Sequence, residues 1–334
     1  MPIALSALEL ALTETGRTAA DALDVAMRAV KHVDELGYRR VWFAEHHGST
    51  LAASVVPPVL IAHAAARTSR IRVGAGGVLA PNHAPLTVAE QFATLATLHP
   101  DRIDLGIGRG PGTNDQQIIR ALRRGADPTT DAQYQADVRE VLSHVSGESG
   151  IRLTSGPAGV EIPRPAPWLL SSSPAGAELA AELGLPVAFA HHFRPDQTAA
   201  AAARYRERFR PSRWLDRPYV MVALESVVAD TDEEAARLGM PMALTFAFIQ
   251  TGRGDEVLPT PEDAAAIGLP DDVRAGVEAH TAAQARGSVD TVARRFAEVV
   301  AETGADELML ACSIYDPDAR LRSYDLAMKA AALA

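Results

Sequence analysis

The feature that most constrains this chain is a repeated change of hydrophobic period. Short apolar runs alternate with longer segments whose apolar residues recur at helical spacing. IALSALEL precedes TAADALDVAMRAVKHVDELG, where Thr18 is placed to cap a helix and Gly37 to stop it. RIRVGAGGVL precedes PLTVAEQFATLATLHP, a helical pattern halted before Pro100. Strands are expected around 3–10, 40–45, 71–79, 102–108, 167–172, 186–190, 219–228 and 306–313. Eight alternating units of this kind predict an α/β fold, a closed parallel (β/α)8 TIM barrel, whose strand C-termini and following loops form the active face. The span 236–300 is too long for an ordinary connection. It reads as an insertion placed to cap the site, ending in the helix VDTVARRFAEVVAETG, and residues 1–334 read as a single domain.

Charge and cysteine usage narrow the function classes. A formal net charge of -10 disfavours nonspecific attraction to nucleic acid and to anionic membranes. Cys312 has no second cysteine with which to form an intrachain disulfide, which suits a reducing compartment. The first basic residue is Arg17, and Glu9 and Glu14 precede it, so the start lacks the charged entry and apolar span of an export signal or membrane helix. Cytoplasm is the expected location.

Four stretches carry candidate chemistry. RVWFAEHHG, residues 40–48, runs from a strand into Glu45, His46 and His47. A strand-end histidine can move a proton near neutral pH, with a carboxylate fixing its ring. The same residues can also finish a strand without reacting. A metal site is disfavoured: adjacent residues of an extended strand point apart, and neither HExxH nor a cysteine cluster is present. GAGG at 74–77 and GIGRGPG at 106–112 let a flat ring or a phosphate approach the backbone. Pro111 stands where a GxGxxG fingerprint needs its third glycine, so a dinucleotide fold is not indicated. SSSPAG at 171–176 joins Ser171, Ser172 and Ser173 to a helix start near Ala175 and Gly176. That combination can hold a phosphate, with Arg109 as a clamp, or serve only as a cap.

Taken together, several landmarks resemble the bacterial luciferase-like, flavin-dependent monooxygenase superfamily, in particular its single-subunit, alkanal monooxygenase-like branch. They are LGYRRVWFAEHHG, TSRIRVGAGGVLAPNHAPLTVAEQFATL, HPDRIDLGIGRGPGT, WLLSSSPAGAELAAELGLPVAFAHHF, RPYVMVALESVVADTDEEA and TGADELMLACSIYDPDARLRSY, in order along nearly the whole chain. The resemblance implies a TIM barrel that uses reduced FMN and O₂ through a C4a-(hydro)peroxyflavin. The substrate would be a small or medium, largely apolar compound such as an aldehyde. It also implies a homodimer and a separate NAD(P)H-dependent flavin reductase.

Residue by residue, the resemblance makes His46 the acid/base group, with His47 and Glu45 orienting its loop. Gly76 and Gly77 match a pair flanking an unusual cis peptide beneath the flavin ring. Arg109 and the 171–176 loop fall in the phosphate region. Gly108 departs from luciferase, which has a reactive cysteine there, so light emission is not expected. Two other readings compete: hydride transfer with the deazaflavin F420, and flavin binding without catalysis.

Overall fold

Eight parallel strands close into a barrel in the computed structural model, which describes residues 2–125, 129–155, 162–253 and 256–334. In chain order they are β1 (Ala4–Glu9), β2 (Arg40–Phe43), β3 (Arg72–Leu79), β4 (Ile103–Gly108), β5 (Ala166–Ser171), β6 (Val187–Ala190), β7 (Val220–Val228) and, after one further short strand, β9 (Glu307–Ala311). Consecutive strands pair from β1 to β7, and the ring closes through β7–β9 and β9–β1. The further strand, β8 (Ala285–Gly287), lies within 236–300, where no strand is expected from the sequence. It pairs with the far end of β7, outside the eight-membered ring. Three residues, ARG, are too few to show a period of two.

The helices are α1 (Ala19–Leu36), α2 (Pro57–Ala65), α3 (Pro85–Leu98), α4 (Gln116–Leu122), α5 (Asp131–Ser146), α6 (Pro174–Leu183), α7 (Pro195–Arg208), α8 (Asp232–Gln250), α9 (Pro261–Ala266), α10 (Asp271–Ala282), α11 (Val289–Thr303) and α12 (Pro317–Leu333). Their ends follow local chemistry. Thr18 and Asp21 form a reciprocal capping box, and Gly37 closes α1 in the left-handed conformation at φ 85°. Pro57 sits in the first turn of α2, where a missing N–H costs nothing. The polar stretch 110–130 contains α4, which sequence periodicity does not announce.

Strand parity fills the barrel in layers. Leu8, Trp42, Trp168, Ala188, Met221, Ala223, Met309 and Ala311 form the buried middle. Beneath it the filling is ionic. Arg40 donates to Asp104 and to Glu307 at 2.7 Å each, and Arg72 Nε to Asp104 at 2.8 Å. Trp42 Nε1 donates to Asp104 at 3.0 Å, while Tyr219 and Ser6 donate to Glu307. Burial alone would weaken the Arg40 charge; Asp104 and Glu307 outweigh it and hold its pKa above the usual arginine value. Above the middle layer, the same parity places Ala44, Gly76, Gly106 and Ala190 on the inner wall at the strand C-termini. The lower barrel is plugged, and its upper wall is thin.

The insertion lies against that upper end. Thr15 N donates to Leu258 O at 2.9 Å and Leu258 N returns a bond to Thr13 O at 2.9 Å. Leu258 packs with Leu12 and Leu51, from the segments after β1 and β2, and with Met242 of α8. Other side chains of GMPMALTFAFIQ pack within the insertion: Leu244 and Phe248 with Ala264, Ala243 and Ala247 with Val277.

Glu14, beside this junction, is 4% exposed. Removal from water lifts its carboxyl to about 7, against the pull of Arg17 and Arg320, and Asp316 adds to the rise. The folded state therefore favours the protonated form. Its stabilising contribution is complete below the ordinary carboxylate range and is lost as pH rises from about 4.5 to about 7. His99, His191, His192 and His280 are all held below their ordinary pKa, so they act in the opposite sense. The Glu14→Gln variant isolates the carboxyl. Its urea-unfolding free energy should gain on wild type by roughly 3 kcal/mol between pH 5 and pH 8. A difference independent of pH would show that Glu14 is ionised throughout.

Candidate active site

β2 ends at Phe43, and the chain then turns over the C-terminal end of the barrel. Glu45 is 4% exposed and collects three donors. Its Oε1 accepts from His47 Nε2 at 2.8 Å and His83 Nε2 at 2.7 Å, and its Oε2 accepts the Leu79 N–H at 3.0 Å. The Glu45–His47 hydrogen bond, which adjacency alone did not establish, is present. His83 is new to the site. It follows the short 3-10 turn Ala80–Asn82 just beyond β3. Its one signal in the sequence is the histidine of PNHAP immediately past a barrel strand, which the EHH run overshadows.

The loop after β4 folds back onto this group. His47 N donates to Gly112 O at 2.9 Å, and Asn82 Nδ2 to Pro111 O at 3.0 Å. Gly112 has φ 73°, and a Cβ there would come within 3.0 Å of both Glu45 O and His47 Cδ2. His46 is half-buried, with its N–H on Ser54 O at 3.0 Å.

The Gly76–Gly77 peptide is cis, as the resemblance implied. Before it Gly76 stands opposite Gly106; after it Val78 stands opposite Ile107 and Leu79 opposite Gly108. One extra residue in β3 thus reverses the facing of Val78 and Leu79. No side chain fits here: a Cβ on Gly76 would lie 2.9 Å from Leu8 Cδ1 and 3.1 Å from Trp42 Cβ, and one on Gly77 2.8 Å from Gly106 O. These glycines and Gly108 make a bare backbone ledge above the middle layer.

Ile107 pairs with Leu169, so Arg109 and Ser171 each lie two residues further along neighbouring strands, at the same end as the ledge. Arg109 is paired with Asp131 in the first turn of α5, both side chains well exposed. Ser171 is buried against the start of α6: its hydroxyl donates to Ser173 O at 2.8 Å and accepts the Ser173 N–H at 3.1 Å. It also occupies the space a Gly176 side chain would need. Ser173 caps α6 through the Gly176 N–H, Pro174 brings no N–H, and Ser172 and Ala175 are exposed beside it.

Across the mouth, β6 delivers His191 and His192. His192 Nδ1 lies 3.0 Å from Ala223 O. A carbonyl only accepts, so Nδ1 carries the proton and Nε2 the lone pair. Burial is the main cause that lowers its pKa to about 4; His191, His280 and His46 add to it. His46 and His192 come from β2 and β6, four places apart in a ring of eight. His280 stacks on Phe246 at 3.8 Å. Cys312 is buried with its thiol pushed up to about 11, which leaves it inert near neutral pH. Among the described residues no cluster of His, Cys, Asp or Glu is arranged to hold a metal ion, and no helix is long and apolar enough to cross a membrane.

Residues 5–307 match the family model described as luciferase-like monooxygenase. A luciferase-like monooxygenase of Escherichia coli K12 is 39% identical over 329 residues, spanning 98% of this chain and 96% of the relative. The solved structure of apo-MsnO8 superposes with a TM-score of 0.90 at 35% identity, covering 99% of each chain. The oxygenating constituent of 3,6-diketocamphane monooxygenase of Pseudomonas putida, solved with FMN, has a TM-score of 0.68 at 19% identity, covering 98% of this chain and 97% of that one; at that distance the likeness is of fold alone.

Proposed function

From the premise that this chain belongs to the luciferase-like monooxygenase family, we propose that it is a reduced-FMN-dependent monooxygenase. It uses O₂ to oxygenate a small or medium, largely apolar substrate, aldehydes among them. The observation that carries this reading is the ledge. Gly76, Gly77 and Gly108 leave a stretch of main chain without side chains, packed too closely to take one, at the strand ends where Glu45, His47 and Arg109 also stand. A planar ring fits against such a surface.

The residues present fit a flavin phosphate as well. Arg109, Ser172, Ser173 and the Ala175–Gly176 turn would hold it at the start of α6. Arg109 would have to leave Asp131, and an exposed pair of that kind is worth only about 0–1 kcal/mol. When bound, reduced FMN supplies the electrons that activate O₂. The chain's own part is to orient, to exclude water and to handle a proton. His46 holds or removes that proton at the barrel mouth. Glu45 fixes the His47 ring, and Leu10, Leu12, Met242 and Leu258 keep the neighbouring surface apolar. We further propose that the enzyme works as a cytoplasmic homodimer and receives its reduced flavin from a separate NAD(P)H-dependent reductase.

The test is anaerobic loading with reduced FMN, then mixing with labelled O₂ and a panel of aldehydes and thioethers. Label should enter one product class. The His46→Ala variant should lose about 10²-fold or more in oxygenation rate, with FMN affinity unchanged within about threefold, below 1 kcal/mol. A variant that keeps the wild-type rate rejects His46 as the acid/base group. Product without label, with reversible hydride exchange with F420, rejects the oxygenase reading. Flavin capture without turnover of any substrate points to a binding protein instead.

A further inference from the structure

The Glu45 carboxylate joins two histidines of unequal access. His47 Nε2 and His83 Nε2 meet the same oxygen, Oε1, at 2.8 and 2.7 Å. Side-chain exposure is 10% for His47, 1% for Glu45 and 30% for His83. The three thus form a short hydrogen-bonded line from the loop that carries His46 to the solvent. His46 stands next to His47 in the chain, and Arg123, beyond the end of α4, reaches Asn82 Oδ1 through its Nε at 3.4 Å. A histidine that only pinned the turn after β3 would need a single acceptor and no partner beyond it.

We propose that His83 is a relay and positioning residue, which exchanges protons between solvent and His47 through Glu45 Oε1. As a role in turnover, this rests on the oxygenase reading above. A proton taken up at His47 Nδ1 is matched by departure of its Nε2 proton to Glu45 Oε1. Glu45 passes that proton to His83 Nε2 when the His83 ring carries its own on Nδ1, and His83 releases the Nδ1 proton to water. One proton leaves the barrel mouth for solvent, no electron moves, and the reverse sequence delivers one. His46 keeps the reacting proton, and the relay resets the charge beside it.

The first arm of the test needs neither flavin nor turnover. ¹⁵N-histidine NMR of the chain without cofactor, followed against pH, should show His47 and His83 titrating in shared, two-step curves. Glu45→Gln should separate them into independent single steps. The second arm uses reduced FMN. His83→Gln, which retains a donor towards Glu45, should lower the oxygenation rate at least tenfold and flatten its pH profile, with FMN affinity within threefold of wild type. His83→Ala should be rescued several-fold by imidazole in the buffer, and melting curves check that both variants fold. Independent single-step titrations in the wild-type chain overturn the proposal, and so does a His83→Gln enzyme with the wild-type rate and pH profile. Should no oxygenation be found at all, the functional reading fails and the NMR arm alone decides the relay.

Discussion

Replacing Asp104 by Ala should destabilise the chain by about 3–5 kcal/mol, against a total of roughly 5–15 kcal/mol for a folded domain. Asp104 is 0% exposed and accepts from Arg40, Trp42 and Arg72. The Arg40 guanidinium, itself held in the barrel interior, would keep Glu307 but lose half its countercharge. Trp42 would lose the acceptor for its indole N–H. Shrinking a side chain is therefore the smaller part of the cost; leaving a buried cation underpaired is the larger. Asp104→Asn keeps the shape and an acceptor for Trp42, and should lose about half as much. Urea unfolding of the two variants beside wild type measures this. Equal losses would show that charge is irrelevant there, and a loss under about 1 kcal/mol for Asp104→Ala would show that the network is not stabilising. Little salt dependence is expected, since the pair is shielded from solvent ions.

Gly77→Ala should be a damaging small change at the site. The added Cβ would meet Gly106 O at 2.8 Å and Gly108 N at 3.1 Å, both main-chain atoms of β4. A flexible side chain could swing aside, but a paired strand cannot, so the β3–β4 edge has to part. Overpacking of that kind costs about 1–3 kcal/mol. On the proposed function, the displaced ledge also lowers reduced-FMN affinity at least tenfold, about 1.4 kcal/mol. Calorimetry and fluorescence titration separate the two effects. Gly268→Ala is a useful control: like Gly77 it lacks the left-handed φ that strains a side chain, but no atom lies within 4 Å of the new Cβ. If Gly77→Ala proved no worse than that control in both assays, the ledge would not be sterically closed.

Much of the scaffold was legible in the amino-acid order. Thr18 and Gly37 bound α1 because caps are chemistry between near neighbours. The eight barrel strands were visible because each carries several apolar residues of strand character, whereas β8 has only three residues and takes its identity from pairing with β7. α4 stayed hidden because it buries none of its side chains, so no apolar stripe marks it.

The candidate site was legible in its parts and not in its wiring. Glu45, His46 and His47 stand out as a run, and the glycines of β3 and β4 stand out at strand ends. Nothing local joins Glu45 to His83, 38 residues away, or Arg40 to Asp104 and Glu307, 64 and 267 residues away. Ser171 shows the opposite case, since a hydroxyl that reads as open to a phosphate is already engaged with Ser173.

By itself, the sequence determined the βα rhythm, the helix ends and the places where backbone must be bare, because each depends on a few consecutive residues. Tertiary structure alone decided which carboxylate serves which ring, which charges lie buried together, and that residues from β2 and β6 face one mouth. Those outcomes wait on barrel closure, which sets strands distant in the chain side by side and fixes the direction of every inward side chain.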